Sequence, residues 1–393
     1  MQTAQAGQRI FSRLKGLLRG RSLSLSGVDS VLLLLTAGLV VFGLIMVYSS
    51  SFIFAQERTG DGFAFIKKQI FFAILGSLLL AVAAQIPHHN WKKWAYPLLI
   101  SALVSLLVVL IPGIGAKTGG AQRWIRLFGF QFQPAEWTKF ACMVFVARQL
   151  TVKKADIHRF IPAVLSVFVL LLPVFGLLLL QPDFGSTAVI VMVAFLLMFL
   201  GGVPMRFLGT VLASGLALGT FLALGSAYRR ARIMTFLDPW SDPSGKGFQI
   251  LQSFVGLHSG GISGVGLGNG KEKLFFLPEA HNDFIFSVIG EELGFIGLAA
   301  LVAGFVILVY RGLLVSWQVW DRRNDFFGML LGSGITLLLG LQAFLNMAVV
   351  LGLIPTKGLA LPFISYGGSA LVIDLFAMGV LLSISRSTGS KIT

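Results

Sequence analysis

Residues 28–49, VDSVLLLLTAGLVVFGLIMVYS, hold one charge in 22 positions. About 20 apolar residues in a helix cross the hydrocarbon core of a bilayer, where every backbone N–H and C=O must be bonded within the segment. The stretch therefore reads as a membrane span. The same signal recurs at 69–86, 98–112, 134–150, 161–180, 185–201, 206–225, 284–310, 326–353 and 367–385. The third of the ten is short, and the fourth opens on the polar PAEWTK, with Pro134 suited to the first turn of a helix. Ten crossings return both ends of the chain to one side. Composition agrees: 56% of the 393 residues are hydrophobic, 12% are charged and 35 are Phe, and the mean hydropathy is +0.86. These values exclude a soluble fold and indicate an all-α polytopic membrane protein. One domain over 28–386 is expected between tails at 1–27 and 387–393.

Charge sets the orientation. Arg9, Arg13, Lys15, Arg19 and Arg21 share a side with the short loops that hold Lys92 and Lys93, Lys153 and Lys154, and Arg322 and Arg323. The positive-inside rule makes that side the cytoplasm. The first 27 residues lack the short apolar core and small-residue cleavage site of a secretory signal, and read as a basic cytoplasmic tail. The opposite face is also basic, with clusters at Lys117, Arg123, Arg126 and Lys139, at Arg229, Arg230 and Arg232, and at Lys271, Lys273 and Lys357. The longest connection, 226–282, lies on that outer face, and connections of such length usually carry function. It contains DPWSDPSGKG (238–247) and the glycine run HSGGISGVGLGNG (258–270). No strand precedes the glycines, so they do not form a nucleotide fingerprint; backbone packed closely over an embedded site explains them better. The single cysteine, Cys142, excludes an intrachain disulfide and reads as a small buried hydrophobe. No run of His and Cys has zinc-ligand spacing.

Residues 277–297, LPEAHNDFIFSVIGEELGFIG, place Glu279, His281 and Asp283 at the mouth of an apolar run that then carries Glu291 and Glu292. Charge near bilayer depth is costly and is usually retained for a reason. Five more motifs accompany it: GAQRWIRLFGFQFQPAEWTK (120–139), QPDFGSTAV (181–189), YRRARIMTFLDPW (228–240), GFQILQS (247–253) and LGLIPTKGLALPFISYGGS (351–369). In this order they resemble the signatures of the SEDS family, the shape, elongation, division and sporulation proteins, over nearly the whole chain. The stretch PEAHNDFIFSVIGEELG is closer to the division branch, of FtsW type, than to the elongation branch, of RodA type. There a basic residue would stand at Ala280 and an alanine near Gly290.

The resemblance implies a peptidoglycan glycosyltransferase at the outer face of the bacterial inner membrane. Its substrate would be lipid II, the undecaprenyl-diphosphate-linked disaccharide-pentapeptide, and it would act in cell division. It implies a class B penicillin-binding protein and other division proteins as partners, contact with membrane lipids, and no nucleic acid. The transpeptidase step falls to that partner, since no Ser-x-x-Lys motif stands in an outer domain here. In such a reaction a sugar hydroxyl attacks an anomeric carbon while a lipid diphosphate leaves. The site needs a base, counter-charge and a lipid-accessible groove.

Asp283 is the candidate base, with a helix N-cap as its competing role. Arg123, beside Trp124, and Lys139 are the first candidates for counter-charge, so Arg123→Ala and Lys139→Ala are expected to weaken substrate binding where Lys92→Ala does not. Glu136, three residues before Lys139, is placed for an i,i+3 pair with it. Arg229, Arg232 and Lys357, the last near Ser365 of SYGG, are assigned either to phosphate or to snorkelling toward headgroups. Asp183 stands at a break between spans five and six, where polar groups line cavities. Trp124 offers a ring for stacking on sugar or an interfacial anchor. Glu279 is read as pairing with an outer Arg or holding the loop, and His281 as orienting substrate or as a satisfied loop histidine. Glu291 and Glu292 read as structural or as partners of outer cations. Asp374, inside the last span, departs from the family pattern and receives no role. A divalent cation, Mg or Mn, beside the diphosphate is compatible with few protein ligands. Two other functions compete: a lipid II flippase, against which stands the lack of an inverted repeat of broken helices, and a non-catalytic division scaffold, which leaves the outer charges unexplained.

Overall fold

The computed structural model describes residues 24–25, 27–118, 121–127, 130–225, 227–243, 245, 247–278, 280–355 and 358–389. After a two-residue ladder of β1 (Ser24–Leu25) with β2 (Val28–Asp29) come α1 (Ser30–Thr59), α2 (Ala64–Gln85) and α3 (His89–Leu110). A three-stranded antiparallel sheet follows, β3 (Gly115–Thr118), β4 (Ala121–Leu127) and β5 (Phe130–Phe132), with β4 in the middle. Then come α4 (Pro134–Val152), α5 (Ser166–Leu180, entered through a π turn at Ile161–Leu165), α6 (Phe184–Leu200) and α7 (Met205–Leu224). The long outer connection is itself mostly helical, with α8 (Ala227–Leu237), α9 (Phe248–Gly260) and a π turn at Glu272–Phe276. The last three helices are α10 (Ile285–Arg323), α11 (Phe326–Val350) and α12 (Gly368–Gly389).

Among the described residues seven helices are long and apolar enough to cross a membrane, and α6 and α7 are shorter apolar helices. Every expected span has its helix, with α1 and α10 running well past their expected ends. The expected helical bundle carries one small sheet at Gly115–Phe132 that was not foreseen: its strands are too short, and one too bulged at Ala116/Lys117, for a period to show in sequence. The weak fourth span has a physical explanation. Of the 19 residues of α4, 15 are buried, so protein rather than lipid surrounds it, and Glu136, Thr138, Lys139 and Gln149 find a place there. Pro134 does open it.

The centre of the bundle is α11 and α12, whose most apolar windows are 72% and 78% buried, against 22% for the peripheral α2. Small residues let α2 and α12 approach: a Cβ on Gly379 would sit 2.4 Å from the Leu80 carbonyl oxygen. Helix α10 is broken inside its length by Gly294, at φ 65° and ψ −165°. The expected glycine packing is found here. Val265 and Gly266 N–H donate to the Glu291 and Glu292 carbonyls, while Phe295 and Ile296 N–H donate to Gly261 and Ile262. A Cβ on Gly260 or Gly264 would lie 1.9 or 2.1 Å from the carbonyl oxygens of Gly290 and Glu292, so only glycine admits this contact.

Candidate functional site

Asp283 stands at the entrance to α10, half-buried. Three consecutive carbonyls hold its backbone: His281 accepts from Tyr366 N–H at 2.9 Å, Asn282 from the Ser365 hydroxyl at 2.7 Å and Asp283 from the Asn346 side-chain amide at 2.8 Å. The same amide donates to Leu359 O at 2.6 Å, so one α11 side chain ties the Asp283 loop to the 358–367 segment. The Asp283 carboxylate faces Gly358, where an added Cβ would sit 2.9 Å from Oδ2. Phe284, not Asp283, occupies the N-cap of α10, and it makes no side-chain cap.

The other expected site residues divide. Arg123 projects from β4 and donates through Nε to Gln181 O at 3.0 Å and through Nη2 to Pro182 O at 2.5 Å. It forms no ion pair among the described residues, so its charge is cradled by carbonyls and not neutralised. Trp124, next to it, is half-buried opposite Ala116. Asp183 is the N-cap of α6, its carboxylate accepting from Ser186 N–H at 3.0 Å and Ser186 Oγ at 2.7 Å. Gly185 packs against Leu359, which brings the α5–α6 break beside the segment that flanks Asp283. Arg123, Asp183 and Asp283 thus gather at one end of the bundle.

Four of the expected site residues make their contacts within the protein. Asp183 is accounted for as a cap. Ser365 is buried, its hydroxyl donating to Asn282 O and accepting from Leu361 N–H, so it fastens two loops and does not face a substrate. His281, 7% exposed, lies within an aromatic cluster of Phe54, Phe65 and Tyr366, the satisfied-histidine alternative. Lys139 is 1% exposed with its ammonium 2.8 Å from Glu136, and Asp374 of α12 lies within electrostatic reach of both. In the second turn of α4, Lys139 is an interior partner of Glu136. Glu279 and Lys357, and the side chains of Arg229 and Arg232, lie outside the described residues.

Glu291 and Glu292 both bond to the outer connection, Glu292 as the partner of a cation there. Lys273 donates to Glu292 at 2.6 Å and to Gly268 O at 2.7 Å, and Ser49 of α1 also donates to Glu292. Glu291 accepts from Lys271 and Glu272 N–H. Glu272 itself is buried with Oε2 unpartnered. Burial, then the nearby Glu291 charge, pushes its carboxyl up to about 7. A carboxyl that holds its proton more tightly folded than unfolded makes stability fall as pH rises between the two values, here from 4.5 to about 7. Melting temperature in detergent should therefore decline from pH 5 to pH 8, and Glu272→Gln should flatten the decline. An equal decline in the variant would assign the effect elsewhere.

Sequence reasoning missed Asn346 and the Gly294 break. The signal for Asn346 was present as a lone amide in the apolar run FLNMAVV. Around Asp283 no three His, Cys, Asp or Glu ligand atoms converge among the described residues. A cation at a diphosphate there would rest mainly on phosphate oxygens and water.

Residues 30–390 match the family model for cell cycle proteins that covers FtsW, RodA and SpoVE. The probable peptidoglycan glycosyltransferase FtsW of Geobacter sulfurreducens is 47% identical over 357 residues, 91% of this chain and 95% of that one. Its counterpart in Trichlorobacter lovleyi is 47% identical over 364 residues, 92% and 94%. Among solved structures, a chain from a peptidoglycan synthase complex that coordinates polymerization and crosslinking has a TM-score of 0.74 at 32% identity, covering 93% of this chain and 99% of that one. The rod shape determining protein RodA of Thermus thermophilus has a TM-score of 0.66 at 27% identity, covering 93% and 98%.

Proposed function

Given that the chain belongs to the SEDS family of FtsW, RodA and SpoVE cell cycle proteins and is a peptidoglycan glycosyltransferase, we propose that Asp283 is the general base of lipid II polymerisation. Its carboxylate takes the proton of the acceptor hydroxyl as that oxygen bonds to the anomeric carbon of the lipid-linked sugar. The bond from that carbon to the diphosphate oxygen breaks, the electron pair leaves with the diphosphate, and the anomeric centre inverts. The observation that carries this reading is the locked Asp283 backbone at the entrance to α10, beside the α5–α6 break. Arg123, held by two carbonyls with no carboxylate partner among the described residues, supplies counter-charge, with Arg229 and Arg232 of α8 assisting. Trp124 next to Arg123 stacks on sugar.

Ten crossings, with both termini in the cytoplasm and Asp283 on the outer face of a bacterial inner membrane, are the topology that the charges of the short loops support. A class B penicillin-binding protein seats its membrane helix on the lipid-facing side of the bundle and crosslinks the product. The peptidoglycan synthase complex among the similar structures supports such a partnership. Purified chain mixed with lipid II in detergent should yield glycan polymer, whereas a flippase or a scaffold yields none. For sidedness, Ser244 lies outside the described residues, and exposed Ser241 and Asn324 serve as probes. Cysteine at Ser241 should react with an impermeant thiol reagent from outside intact cells, and cysteine at Asn324 should not; buried Cys142 gives a silent background. The opposite pattern overturns the orientation.

A further inference from the structure

A second cluster of ligating side chains lies far from Asp283. In the α2–α3 turn His88 Nε2 is 2.5 Å from Asp325 Oδ2, and His89 Nδ1 is 3.8 Å from the same oxygen. The three ligand atoms all lie within 4.8 Å of one another. Two lengths fix the distance from the catalytic end. Phe65, which touches His281, begins α2, and 22 residues of helix span about 33 Å before His88. Asp325 precedes α11, whose Asn346 reaches the Asp283 carbonyl from several turns further on.

We propose that His88, His89 and Asp325 form a binding site for one divalent transition-metal ion, of the zinc class, at the end of the bundle opposite Asp283. Two imidazole nitrogens and one carboxylate oxygen are a borderline donor set, which suits Zn2+ and its neighbours; Mg2+ and Ca2+ take oxygen shells. The outer support is in place. Asp325 Oδ1 accepts from Gly328 N–H at 2.9 Å, which aims Oδ2 at the histidines. His88 is buried and its ring lies 4.1 Å from that of His89, while the His89 side chain is 66% exposed, leaving one side open for water as fourth ligand. Binding exchanges the direct His88–Asp325 hydrogen bond for bonds from both groups to the ion. Lys92 and Arg323 stand within electrostatic reach of His89 and oppose a dication, so affinity is expected to fall below that of a closed four-ligand site. The ion would join the α2–α3 turn to the α10–α11 turn, two segments that the His88–Asp325 contact already links.

The test uses full-length protein in detergent micelles, without a polyhistidine tag, titrated with ZnCl2 against a chromophoric chelator. One ion per chain is expected, with a tetrahedral absorption spectrum when Co2+ replaces zinc. His89→Ala and Asp325→Asn should each weaken binding by at least about tenfold, while His258→Ala, in the outer connection, should bind as wild type. Both variants should fold, since His89 is exposed and Asn preserves the cap to Gly328. Zinc should raise the melting temperature of wild type and not of His89→Ala. A wild-type chain that takes up no zinc, a His89→Ala chain that binds it equally well, or an octahedral Co2+ spectrum would each overturn the site.

Discussion

Asp283→Asn is expected to fold and insert normally while its polymerase activity falls by about 100-fold or more, the usual scale of general-base catalysis. The substitution keeps the volume of the side chain and leaves untouched the backbone carbonyl that accepts from Asn346. What it removes is the proton acceptor. A capping role predicts the contrary, because Asn caps as well as Asp, and the structure already places Phe284 at the cap. The measurement is glycan synthesis from lipid II by detergent-purified variant whose melting temperature matches wild type. Undiminished synthesis by such protein would remove Asp283 from the mechanism. Asp183 would then be a poor substitute, since its carboxylate is committed to Ser186.

The second large effect concerns stability. Lys139→Met leaves the buried carboxylates Glu136 and Asp374 without the cation that faces them, and breaking a buried pair from one side costs roughly 3–5 kcal/mol. Denaturation of the purified protein should show this loss, and adding Glu136→Gln should restore much of it, because then no unpaired charge remains at position 136. Full stability in the single variant would mean that the pair contributes nothing. The double variant also separates stability from chemistry. If it is stable and still polymerises lipid II, Lys139 acts as an interior tie. If it is stable and inactive, the expectation that Lys139 supplies counter-charge regains its ground.

Sequence alone determined the spans, because burial in a bilayer is a local requirement: each helix must satisfy its own backbone and present apolar side chains over about 20 residues. It also determined the family, and with it the enzyme class, since the motifs are contiguous strings, and it singled out Asp283 as the candidate base. The Lys139 pair with Glu136 was legible as well, being three residues apart on one helix face. What only the tertiary structure decided are the contacts between distant segments. Asn346 joins the Asp283 loop to Leu359, Arg123 meets the Gln181 and Pro182 carbonyls, Asp374 approaches Lys139, and His88 meets Asp325 from 237 residues away. Whether Arg123 and Lys139 are outer cations or interior partners likewise turned on those contacts. In an apolar chain few polar side chains exist, and which of them meet depends on how the helices pack, a property set by side-chain shape along whole helices and invisible in any one stretch.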